Sequence, residues 1–198
     1  MTEGGSLVNV VPDRAVIETL VRGKTKAAIE DAALKTDRSF LAGALALGAG
    51  CTIETMPGYL PCLSQETPEE IVSLAREALP EREITLMDPA SHSAGSSDVG
   101  DLQHLLPVLS FKTGGAVGSL HSAAFDVTDP EEAYIVTAKL FALHALALLE
   151  NGAALTRRVH DAYRPVFPDR EAYIRYMDGN TNTFSCPDPV GAVLRGRA

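Results

Sequence analysis

One segment limits the possible folds more than any other. Asp129-Pro130-Glu131-Glu132 combines a capping side chain, a proline suited to the first helical turn and two carboxylates at the positive helix end. It leads into an alanine- and leucine-rich run through Leu149 that Asn151-Gly152 closes. A helix this apolar is expected to be largely buried, so the rest of the chain has to cover it. With 198 residues, 45% hydrophobic and 22% charged, there is material for a core in one domain or two small ones.

The charge balance and the cysteines narrow the class further. A formal net charge of −9 with no basic run argues against nucleic acid and anionic membranes as partners, because both are bound by clustered Lys and Arg. Cys51, Cys62 and Cys186 are too few and too unevenly spaced for a disulfide framework or a cysteine-rich zinc site, and read as reduced thiols. The apolar residues 40–51 are too short and glycine-rich to span a bilayer, and no secretory signal opens the chain. A cytoplasmic protein with no membrane partner is expected.

Local patterning predicts the remaining elements. Residues 7–11 and 15–22 read as a strand pair turning at Pro12-Asp13. Ala28, Ile29, Ala32, Ala33, Phe40, Leu41 and Leu45 recur at helical spacing between Thr25 and Leu47, and Gly48 ends the run. Residues 51–63 return to extended character, giving a β-β-α-β module. Thr67-Pro68-Glu69-Glu70 starts a helix over 68–79, and strands are predicted at 83–87 and 108–112 around a polar loop at 88–101. The boundaries are placed at 1–65, 66–153 and 154–198, the last a helical tail whose Gly-, Asn-, Thr- and Pro-rich end, 178–198, is expected to lack order.

Several side-chain groups are candidates for chemistry. Asn9 and Arg22 lie 13 residues apart across the predicted strand pair, and an amide with a guanidinium can hold a carboxylate. From spacing alone, a turn Asn and a surface Arg explain them better. Ser96, Ser97, Asp98 and Asp101 lie near His92 and His104, but no Gly-x-Ser-x-Gly elbow accompanies them, and residues of one loop rarely form a relay. A capping turn with solvated polar groups is the simpler account. His121 follows a glycine-rich turn and could ligate a divalent metal, yet one histidine is one ligand of the three or four a zinc site needs. Taken alone, it reads as structural, as do His144 and His160. Gly114-Gly115-Ala116-Val117-Gly118 lacks the Gly-Lys-Ser/Thr ending of a phosphate loop, which excludes nucleotide binding there.

Together, Asn9-Val10-Val11-Pro12-Asp13-Arg14 with Arg22, Ser96-Ser97-Asp98-Val99-Gly100-Asp101, and Leu120-His121-Ser122-Ala123-Ala124-Phe125 before the capped helix resemble the M20 peptidase and amidohydrolase family. The nearest subgroup is the aminobenzoyl-glutamate hydrolase B-subunit type, and the blocks cover about residues 5–150. The resemblance implies an α/β fold: an α+β lid at 1–65, pairing with its twin in a homodimer, followed by the C-terminal half of a zinc-peptidase-like sheet-and-helix catalytic domain. It implies substrate binding by Asn9, Arg22, Ser97 and Asp98, a metal on His121, usually zinc, and hydrolysis of the amide of an N-acyl or N-aminoacyl amino acid.

The family's other ligands and its general base precede the lid, and its lid histidine has no counterpart before Asn9. The expectation is therefore a truncated or split amidohydrolase, inactive alone and binding metal weakly or not at all. A polypeptide carrying the N-terminal half would complete it. The alternative is a non-catalytic dimerisation or complementing module. Either way, uncovered apolar surface is expected.

Overall fold

The computed structural model describes residues 1–88, 91 and 95–195. In chain order the elements are α1 (Lys26–Leu47), β1 (Cys51–Thr55), α2 (Glu69–Ala78), α3 (Asp98–Gln103), β2 (Ala116–Val117) and β3 (Asp126–Val127). A π-helical stretch (Glu131–Val136) then runs into α4 (Thr137–Ala162), followed by α5 (Arg170–Gly179), β4 (Asn182–Cys186) and α6 (Pro189–Arg195). Helices dominate, with small antiparallel sheets, so the class is mixed α+β. The chain divides into two units, Met1–Pro61 with Met177–Ala198, and Cys62–Tyr176.

In the first unit, α1 starts and stops where its sequence directs. Thr25 caps it by accepting from the Ala28 amide at 3.2 Å, and Gly48 ends it in the left-handed region at φ 66. Strand β1 pairs antiparallel with β4, running from Cys51 opposite Cys186 to Thr55 opposite Asn182. The Thr52 and Ser185 hydroxyls meet across it at 3.2 Å. Helix α1 packs against β1 and α6, yet none of its residues is fully buried.

Two expectations for this unit need correction. The strand pair at 7–11 and 15–22 is not formed; among the described residues the opening segment has a single bridge, Glu3 to Val16. Leu7, Val8, Val10 and Val11 are exposed, and an isolated hairpin without a packed face is marginal in water. The β-β-α-β module is therefore reduced to α1 and β1. The segment at 178–198, expected to lack order, instead supplies β4 and α6 through residue 195. Strand pairing with β1 overrides its poor local propensity.

The second unit is built on helix packing. Ala75 and Leu79 meet Val136 and Leu140 in one cluster, with Ile84 and Phe111 against it. Ile71 meets Ala147 and Leu155 in another. The strands expected at 83–87 and 108–112 do not form, and the described sheet of this unit is the two-residue ladder of β2 and β3. Ile84 and Phe111 are used as packing groups on α4, an outcome that a short apolar run cannot distinguish from a strand.

Helix α4 differs from expectation in its burial. Leu140 and Ala147, seven residues apart, are buried, whereas Phe141, Ala145 and Leu149 at spacings of four are exposed, Phe141 at 63% and Leu149 at 72%. The helix is apolar on both faces and covered on one. The expected stop at Asn151-Gly152 is present as a break: Asn151, Gly152 and Ala153 take left-handed φ values of 50, 63 and 61 before helical geometry resumes. The Thr156 hydroxyl donates to the Leu148 carbonyl across it at 2.6 Å.

Candidate functional site

The opening segment places Asn9 in a turn, where the Val10 amide donates to the Leu7 carbonyl at 3.4 Å, and Arg22 in irregular chain just before α1. Both are exposed. The strand pair that would set them side by side is missing, so the backbone does not preorganise them as a carboxylate clamp. A clamp built from long, solvated side chains has to pay their ordering entropy on binding.

In the second unit, Ser97 is extended at φ −155 immediately before α3, and Asp98 and Asp101 lie in that short helix's first turn. The loop's Ser97 Oγ faces Cys62 Sγ at 4.0 Å. His104 ends α3, 1% exposed, with Nδ1 at 2.8 Å from the Gly100 carbonyl and its ring 6.1 Å from that of Phe167. Its own carbonyl accepts from the amides of Val166 and Phe167. These contacts make His104 a peg between α3 and residues 166–167, and no Ser–His–Asp relay is seen among the described residues. His92 lies outside the described residues.

Other polar groups around α3, Gln103 buried and Gln65 and Tyr163 half-buried, serve the same anchoring purpose. Gln103 accepts from the Leu63 amide at 2.9 Å, and the Tyr163 hydroxyl donates to the Gln103 carbonyl. Gln65 accepts from the Val108 amide at 2.8 Å. Burial pushes the Tyr173 hydroxyl above its ordinary pKa, and the charge and hydrogen bond of Asp101 add to the effect. Sequence spacing did not reveal these glutamines and tyrosines, because each partner lies far along the chain.

His121 sits in the turn between β2 and β3 with φ 62, exposed to solvent. The loop is tied by Ser122, whose hydroxyl donates to the Ser119 carbonyl at 2.8 Å and accepts from the Ala124 amide at 3.3 Å. Gly118, at φ 84, allows the return: a Cβ there would overlap the Ala124 carbonyl. Gly115 at φ 93 packs its backbone against residues 129 and 133. These glycines therefore serve close backbone packing. His121 is displayed on a hairpin tip.

The implied metal does not fit these residues. Among the described residues, no group of three or more His, Cys, Asp or Glu side chains is placed to hold an ion. A pocket lined by Leu79, Arg82, Ile84, Lys112, Gly114 and Glu132 lies elsewhere in the second unit, with Arg82 Nε and Glu132 Oε2 paired at 2.7 Å beside it. Ser97, Asp98 and His121 are not part of it. What the arrangement offers is a displayed histidine, a polar loop leading into α3 and an exposed apolar helix face. Comparison with family models, curated proteins and solved structures finds no significant match.

Proposed function

We propose that this chain is the complementing part of a metal-dependent amidohydrolase of the M20 type, inactive alone and completed by a second polypeptide. The observation that carries this reading is an exposed apolar stripe on α4: Ala145 and Leu149 on the side away from the covered Leu140 and Ala147, flanked by Phe141, whose ring meets Phe111 edge-on at 4.8 Å yet stays 63% exposed. An apolar helix exposed on one side is half of an interface. In this reading His121 contributes one ligand to a divalent metal, zinc by resemblance, whose other ligands and general base belong to the partner. Asn9, Arg22, Ser97 and Asp98 would contact an N-acyl amino acid, and the first unit would mediate homodimerisation in the cytoplasm.

The test combines zinc calorimetry with hydrolysis assays on N-acyl amino acids, for the chain alone and mixed with the polypeptide encoded immediately upstream. Turnover in the mixture alone, lost with His121→Ala, is the expected result. Near-stoichiometric zinc and turnover by the chain alone would refute complementation; no complex and no turnover in the mixture would remove the amidohydrolase reading. A membrane is the competing use of the same stripe, since Glu131–Ala162 is long and apolar enough to cross one. Flotation of the chain with lipid vesicles would favour that use.

A further inference from the structure

The thiols Cys51 and Cys186 occupy directly opposed positions at one end of the β1–β4 ladder. Opposed residues of an antiparallel pair project to the same face, with Cα atoms about 4.5–5.5 Å apart, inside the roughly 4.4–6.8 Å range that a disulfide bridges. The backbones remain close beyond the pair, since a Cβ on Gly50 would lie 3.0 Å from the Pro187 carbonyl. Both cysteines are free and half-buried, so a small reagent can reach them. Cys62 belongs to the other unit and is exposed.

We propose that Cys51 and Cys186 are a reversible redox modification site, joined as a cross-strand disulfide by an oxidised low-molecular-weight thiol of the glutathione class. The thiolate of one cysteine attacks the small disulfide, forming a mixed disulfide and releasing one thiol. The second cysteine, deprotonated, attacks the protein sulfur of that intermediate and releases the other. The protein dithiol is oxidised, the small disulfide is reduced to two thiols, and the two protein protons end on those thiols.

The site matters because of where it ties the chain. Residues 62–176, the whole second unit, lie between the two cysteines, so the first unit is assembled from two distant stretches. Its inter-strand joint is a two-stranded sheet, a marginal structure by itself, and α1 contributes no fully buried residue. The bond would keep β4 on β1 through opening of the second unit. Cβ atoms of opposed strand residues sit somewhat wider than a relaxed disulfide prefers, which suits a bond that forms and is reduced again. The pairing makes no use of His121 or of the amidohydrolase reading.

The experiment uses the full chain carrying Cys62→Ser, treated with oxidised glutathione or with a phosphine reductant. The expected product has lost the mass of two hydrogen atoms, and peptide mapping joins Cys51 to Cys186. Hydrogen exchange of the β1 and β4 amides slows at least about tenfold on oxidation, and Cys186→Ser removes that difference. Two thiols that stay alkylatable, glutathione on either cysteine without a crosslink, or a crosslink that leaves exchange unchanged would each overturn the proposal. The first readout keeps both cysteines intact, so a poorly folding Cys186→Ser protein would not obscure the outcome.

Discussion

Leu140 and Leu149 allow the one-sided burial of α4 to be tested with identical chemistry on opposite faces. Nine residues at about 100° each place them half a turn apart. Leu140, 6% exposed, touches the cluster of Ala75, Leu79 and Val136, whereas Leu149 is 72% exposed. Leu140→Ala removes a buried isobutyl group and leaves a cavity, a loss of about 3 kcal/mol. For a unit spanning residues 62–176, an unfolding entropy of about 2 cal/mol/K per residue turns this into a fall in Tm of about 12 °C. Leu149→Ala forfeits about a quarter of a leucine's burial energy, under about 1 kcal/mol, and should lower Tm by no more than about 4 °C. Scanning calorimetry on the two variants at low protein concentration measures both. Equal losses, or a larger loss at Leu149, would mean that the stripe is covered in the isolated chain and would refute the argument. With the complementing polypeptide present the order changes: Leu149→Ala should weaken the complex by about tenfold, the binding equivalent of its exposed apolar surface.

Other expectations rest on single sites. Gly118→Ala should destabilise by more than about 2 kcal/mol, because φ 84 and the Ala124 carbonyl both oppose a Cβ; unchanged thermal unfolding would exclude the tight hairpin return. Ala153→Gly should stabilise by about 1 kcal/mol by relieving the left-handed strain at φ 61, as read from urea midpoints. Burial lowers the His144 pKa, so stability from this group is complete above the ordinary histidine value and declines as pH falls from there toward the lowered folded value. His144→Gln should flatten that part of the stability-against-pH curve. The hydrogen bond from Arg158 at 2.6 Å, together with the arginine's charge, lowers the Glu70 pKa, so any contribution of the pair is present above the unfolded carboxylate value and lost as pH falls through the folded one. Arg158→Ala should move the Glu70 titration upward in an NMR experiment; an unmoved titration would show that the pair is not populated.

Local signals fared well where their chemistry is local. Thr25 as a cap, Gly48 as a left-handed stop and Asn151-Gly152 as a break in the apolar helix each depend on a few neighbouring backbone groups, and each is found. The capping turn expected around Ser97 is met only in its backbone: Ser97 is extended before α3 and two acids follow in the first turn, but its hydroxyl makes no capping hydrogen bond and faces Cys62 Sγ instead. Strand formation was different. Residues 7–11, 83–87 and 108–112 have extended composition, but a strand exists only with a partner and a covered face, and neither lies within its own sequence. The reverse error at 178–198 has the same origin: Asn182–Cys186 became a strand because Cys51–Thr55 was available to pair with it.

The sequence by itself determined where α1 starts and stops and where α4 breaks, because these follow from backbone sterics and capping within a few residues. Tertiary structure alone decided which face of α4 is covered, that His104 is a buried peg, that His121 stands exposed without companion ligands among the described residues, and that Cys51 meets Cys186. Those outcomes depend on contacts between groups tens of residues apart, whose closure entropy is offset only when the intervening chain has packed.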